Sequence, residues 1–177
     1  MSFLLKLFKK TKQFNVTFCG LDKAGKTAIV NYLIYGEFKD TIPTMGINRE
    51  VMDLPGIQLN IFDLGGQEDF RPMWSDINEK SDGIVYVIDS TDHLRMDESK
   101  KILYDVVNIQ NKQGIPVLIL LNKIDLPDRI NRVAFIERFG FSNLSASWAC
   151  FETSAKTGEG LFQAFTWFVN QIKGGKK

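Results

Sequence analysis

Residues 20–27 read Gly20-Leu21-Asp22-Lys23-Ala24-Gly25-Lys26-Thr27 and fit G-x-x-x-x-G-K-[ST] in full. No other stretch limits the fold as much, because the pattern works only between a strand and a helix. Both flanks are present. Phe14 to Cys19 is a short apolar run of β-formers, as a buried parallel strand requires. Lys26 to Tyr35 has Ala28, Ile29, Tyr32 and Leu33 on one side, with Gly36 as a helix stop. In that setting, backbone N–H groups of the loop and of the helix N-terminus converge on a polyanion. Asp22, Lys23, Ala24, Gly25, Lys26, Thr27 and Ala28 form the expected phosphate-contacting set. Lys26 would reach the β- and γ-phosphates, and the Thr27 hydroxyl would ligate Mg²⁺.

Downstream, apolar strands alternate with helical segments. Glu37 to Gly46 is punctuated by Pro43 and Gly46 and reads as a loop. Ile47–Asp53 and Ile57–Asp63 read as a hairpin joined at Leu54-Pro55-Gly56. Ile84–Asp89, Ile115–Leu121 and Trp148–Thr153 are further strands. Asp92–Gln110 (with Leu94, Ile102, Val106 and Ile109 inward), Arg129–Phe139 and Gly158–Lys173 are helices. Phe141–Ser147 is irregular. The pattern predicts an α/β fold: a mostly parallel six-stranded sheet with one antiparallel hairpin strand and helices on both faces. Ligands in such sheets collect at the C-terminal strand edge, where Gly20, Asp63, Asn122 and Ser154 all fall.

The organisation is one nucleotide-binding domain over 14–177 behind an amphipathic segment, 1–13. In that segment Phe3, Leu4, Leu7 and Phe8 share a helix face. It can lie in a bilayer interface or fold back over its own domain. The net charge of +1 gives no case for nucleic acid. Lysines 6, 9, 10, 12, 173, 176 and 177 sit at the two ends, so the body between them is mildly acidic. Basic ends suit an anionic membrane surface, although solvated tails would look the same. Cys19 and Cys150 fall in separate buried strands and read as small core residues, which fits a reducing compartment. The expected location is cytoplasmic, with peripheral membrane contact.

Asp63 closes its strand where a carboxylate can hold Mg²⁺ through water. Gly65-Gly66 lets the backbone approach a ligand, and the Gly66 N–H could sense a γ-phosphate. Gln67 is placed to orient a water for in-line attack and is the candidate catalytic residue. Asn122-Lys123-Ile124-Asp125 sets the base. Asp125 accepts two guanine N–H groups that adenine does not offer, so it would be desolvated and unpaired against ATP. Asn122 would tie loops together, and Lys123 would lay its methylenes along the base. In Thr153-Ser154-Ala155-Lys156 the Ala155 N–H would reach the guanine carbonyl. His93 reads as a solvated residue near a helix start, without a catalytic role.

With these residues in place, the chain resembles a small GTPase of the Arf/Arl/Sar branch over nearly all its length. The marks are Gly20 to Thr27 with Asp22, Thr41-Ile42-Pro43-Thr44-Met45-Gly46, Asp63-Leu64-Gly65-Gly66-Gln67-Glu68, Arg71-Pro72-x-Trp74 and Asn122–Asp125. The resemblance implies that Glu37–Gly46 is switch I, with Thr44 on Mg²⁺ only in the GTP state. Gly65–Lys80 would be switch II. The hairpin between them would shift register as the N-terminal helix is released. Trp74 would belong to a partner-facing patch, or be packed in the core. An exchange factor, a GTPase-activating protein and effectors follow as partners of a monomeric switch. Three departures stand out. Ser2 replaces the glycine that myristoylation requires. There is no C-terminal cysteine for prenylation. Thr153–Lys156 is closer to the Ras-type form. Switch I carries no arginine, so slow intrinsic GTP hydrolysis and an activating partner are expected. The rivals are a P-loop ATPase or nucleotide kinase, and a nucleotide-bound adaptor with negligible hydrolysis.

Overall fold

A computed structural model describes residues 11–111, 114–141 and 147–175. The amphipathic helix expected before residue 11 lies outside the described residues. The body begins with β1, Lys12–Cys19, so Lys12 and Gln13 belong to the sheet and not to the leading segment. There follow α1 (Lys26–Tyr35), β2 (Ile47–Leu54), β3 (Ile57–Leu64), α2 (Trp74–Asn78), β4 (Gly83–Asp89), α3 (Met96–Asn111), β5 (Val117–Asn122), α4 (Arg132–Phe139), β6 (Trp148–Glu152) and α5 (Leu161–Gly175).

The six strands lie in the order β2-β3-β1-β4-β5-β6. β2 pairs antiparallel with β3, from Ile47 opposite Leu64 to Leu54 opposite Ile57; the other pairings are parallel. The hairpin follows from Pro55-Gly56, where Gly56 takes φ 81°. Parallel strands are buried on both faces, and alternate residues of each strand therefore feed two cores. Phe14, Val16 and Phe18 of β1, with Val85, Val87, Leu118 and Leu120, pack against Ile29 of α1 and Phe165 and Phe168 of α5. The opposite face, with Tyr86, Ile88, Ile119 and Leu121, packs against Leu103 and Val107 of α3 and Phe135 and Phe139 of α4. Cys19 and Cys150 are free and buried in the second core, as small core residues.

Three helices, α3, α4 and α5, start three or four residues later than the sequence suggests. Asn131 caps α4, its Oδ1 accepting the Ala134 N–H at 2.9 Å. Before α3, the Asp92 carboxylate accepts the Arg95 N–H and closes a 3-10 turn, His93–Arg95. The tighter turn rotates its residues away from the face set by the helix that follows. Leu94, expected inward, is therefore 97% exposed, while Met96, Leu103, Val106 and Val107 are buried.

Candidate functional site

The C-terminal ends of β1, β3, β4, β5 and β6 form one rim. Register aligns them: Phe18 lies beside Asp63, and Asp89 beside Asn122. At this rim the loop after β1 curls over the start of α1. Gly25, at φ 94°, is the helix N-cap and offers no side chain to the first-turn N–H groups. No acid lies in that turn, so these donors and the helix dipole point outward. A Cβ at Gly25 would collide with the Asn122 amide, so only glycine fits this junction. Lys26 is buried, and its Nζ donates to the carbonyls of Gly20 and Leu21 at 3.0 and 2.8 Å. Burial lowers its pKa from 10.5 to about 8, although the nearby Asp63 charge works against that.

Three oxygen-bearing residues proposed to hold a metal meet beside Lys26. The Thr27 hydroxyl donates to Asp63 Oδ2 at 2.6 Å. The Thr44 hydroxyl lies 2.8 Å from that of Thr27 and 3.4 Å from Asp63 Oδ2. Burial pushes the Asp63 carboxyl up, against the Thr27 hydrogen bond and the Lys26 charge. Its other oxygen, Oδ1, is buried and takes no hydrogen bond among the described residues. An orphaned carboxylate oxygen beside two hydroxyls is a hard, all-oxygen donor set of the sort Mg²⁺ accepts. Among the described residues, no cluster of three His, Cys, Asp or Glu could hold a metal. A cation here would depend on phosphate oxygens and water for its remaining ligands.

Lys23, Thr44, Gly66, Gln67 and Lys123 line a cleft of about 320 Å³ together with Asp22, Gly25, Lys26, Thr27 and Ala28. Lys23 is exposed and sits at φ 63°, unusual for a side chain with a Cβ. Gly66 rests directly on the phosphate loop, where a Cβ would strike the backbone of Leu21 and Asp22. Trp74 is buried, and its Nε1 donates to the Gly65 carbonyl at 3.1 Å. That corrects the partner-facing expectation in favour of core packing.

At the far end of the rim, Asn122 Nδ2 donates to the Ala24 carbonyl at 2.9 Å and ties β5 to the phosphate loop, as expected. Ser154 Oγ donates to Asp125 Oδ1 at 2.6 Å and accepts the N–H groups of Lys156 and Thr157. The Ala155 N–H donates to Asn122 Oδ1 at 3.1 Å and not toward open space. A ligand carbonyl would have to share or displace that bond. Lys156 is exposed beyond this corner.

The model of the ADP-ribosylation factor family matches residues 1–172. The chain belongs to the ADP-ribosylation factor family. It is thereby a P-loop small GTPase that binds GTP. Its fold is also similar to that of the Arl6 (BBS3) small GTPase from Trypanosoma brucei, solved with the bound nucleotide analogue GppNp. That match has a TM-score of 0.84 at 24% identity and covers 93% of this chain and 100% of the other.

The GTPase rim includes contacts that its sequence motifs do not foretell. Asp89, at the end of β4, accepts from Lys123 Nζ at 2.7 Å and from the Thr91 N–H and hydroxyl. Burial alone would raise the Asp89 carboxyl, but these hydrogen bonds hold it below the ordinary carboxylate range. Arg95 reaches Asp22, and Arg71 bonds both the Gly66 carbonyl at 3.3 Å and Glu98 at 2.9 Å. His93 Nε2 lies 2.6 Å from the Asp128 carbonyl and so staples the loop after β5. Only the Asp92-x-x-Arg95 spacing hinted at any of these contacts, and it reads as a local helix-start pair.

Proposed function

We propose that this GTPase is a Mg²⁺-dependent molecular switch that hydrolyses GTP slowly and presents its switch loops to partners in the GTP state. The observation that carries the reading is the meeting of Thr27, Thr44 and Asp63. The hydroxyl of a loop residue, Thr44, is brought within 2.8 Å of the phosphate-loop hydroxyl. Such a loop–loop contact can report a ligand held between the two elements. Mg²⁺, when bound there, would neutralise charge between the β- and γ-phosphates.

Lys26 and the N–H groups opening α1 bind the phosphates, Asp125 accepts from guanine, and Gln67 orients the attacking water. No arginine lies in Glu37–Gly46, so the charge developing in the transition state lacks a cis donor from that loop. GTP contacts to Thr44 and Gly66 favour one arrangement of the two loops, and hydrolysis removes that bias. Ile42 and Met45 are 86% and 74% exposed on the loop carrying Thr44, which supports nucleotide-dependent partner binding there. Reversible membrane association through the segment before β1, in a trafficking role, completes the reading.

Single-turnover hydrolysis of radiolabelled GTP, with and without Mg²⁺, tests the chemistry. Wild type should turn over slowly, and Gln67→Leu should be slower by about 10²-fold or more. Equal rates, or GTP binding displaced by equimolar ATP, would reject it. Flotation with anionic liposomes, comparing GDP with GppNp and the full chain with one lacking residues 1–11, tests the membrane role. Flotation indifferent to the nucleotide would reject that part alone.

A further inference from the structure

The phosphate loop itself carries an acid, Asp22, in a cleft that Lys23, Lys26, Lys123 and the acid Asp40 also line. A carboxylate turned toward a nucleotide there would repel it. The structure shows where that charge goes. Arg95 Nη1 donates to Asp22 Oδ1 at 2.6 Å, and Arg95 Nη2 donates to the Asp22 carbonyl at 3.2 Å. The same guanidinium is held from behind by Asp92, whose Oδ2 accepts from Nε at 2.7 Å and from Nη2 at 2.6 Å. Asp92 Oδ1 also caps the turn that delivers Arg95. Only a planar fork of donors can meet a carboxylate, a carbonyl and a second carboxylate at once. Burial would raise the Asp22 carboxyl, yet the Arg95 contacts more than offset it and keep the group ionised and paired. From the other side, Gly66 presses on the Leu21–Asp22 backbone. The segment is therefore clamped between the glycine proposed to sense the γ-phosphate and an arginine that no nucleotide motif contains.

We infer that Arg95 is a positioning residue that holds the Asp22 carboxylate off the phosphate-binding face and so sets the preference for nucleoside triphosphate over diphosphate. The inference rests on the GTP-binding reading above. A triphosphate brings more negative charge than a diphosphate to the same loop, so a released carboxylate disfavours GTP more than GDP. A purely structural role for Arg95 would weaken both alike.

The test uses the full chain with Mg²⁺ and measures Kd for fluorescent GDP and fluorescent GppNp, alongside thermal melts. In Arg95→Ala the ratio of GppNp to GDP affinity should fall on the order of tenfold, and less at high salt. Adding Asp22→Asn to Arg95→Ala should restore the wild-type ratio, because the offending charge is gone. If Arg95→Ala does not fold, Arg95→Gln keeps an amide donor, removes the charge and should show the same ratio change. Equal weakening of both nucleotides, or a ratio that the double variant fails to restore, overturns the inference. Wild type that binds neither nucleotide would instead overturn the reading on which it rests.

Discussion

Lys26 offers the sharpest test of how this site trades stability for ligand binding. Its ammonium is buried against two carbonyls, and its pKa falls from 10.5 to about 8. At about 1.36 kcal/mol per pKa unit, that difference amounts to about 3 kcal/mol of destabilisation in the nucleotide-free protein. The folded state binds its proton less tightly than the unfolded state does. The penalty is therefore full below pH 8 and is relieved as pH rises toward 10.5. By pH 9.5 about 2 kcal/mol should have been recovered. Lys26→Met keeps the length and removes the charge, but it deprives the Gly20 and Leu21 carbonyls of a donor, which costs about 1 kcal/mol each. At pH 7, with nucleotide and Mg²⁺ stripped by chelation and phosphatase, the variant should exceed wild type by about 1 kcal/mol, or about 2–4 °C in Tm. The difference should vanish or change sign by pH 9.5. With saturating GDP and Mg²⁺ the order should invert at neutral pH, because only wild type gains the linkage to ligand. Paired urea titrations at the two pH values decide it. A stripped Lys26→Met protein less stable than wild type at pH 7, or a difference that ignores pH, refutes the reasoning.

Two further outcomes follow from buried polar groups. Asn78 of α2 is 1% exposed, and neither amide atom finds a hydrogen-bond partner among the described residues. Asn78→Leu should therefore stabilise the fold by about 2 kcal/mol, and a lowered urea midpoint would contradict this. Ser154 Oγ holds Asp125 and two backbone N–H groups. Ser154→Ala should weaken guanine-nucleotide binding about tenfold with a smaller loss of stability, and calorimetry showing unchanged affinity would argue against that role.

Much of this molecule is legible in its sequence. Alternating apolar strands and amphipathic helices, with one proline–glycine hairpin, determined the sheet and its two cores, because period and turn chemistry are local properties. The motif residues were legible for the same reason. Asp63 and Asn122 end strands, the loop that leads to Lys26 follows another, and parallel strands bring their ends to one edge, so the three had to share a rim. Family membership follows from those motifs and from the match over residues 1–172.

What remained hidden were one local cap and the contacts made only when separate elements pack together. Leu94 looked like a core residue until the turn capped by Asp92 rotated it into solvent. The surroundings of Trp74 were decided by the carbonyl of Gly65, which its indole reaches only once α2 folds against the sheet. Pairing of Asp22 with Arg95, and of Asp89 with Lys123, depends on three loops converging at the rim. Sequence alone named the groups proposed to bind phosphate, guanine and a cation. Only the tertiary structure decided which of the neighbouring charges are neutralised, because Coulomb energy depends on distance and burial, and neither is written in residue order.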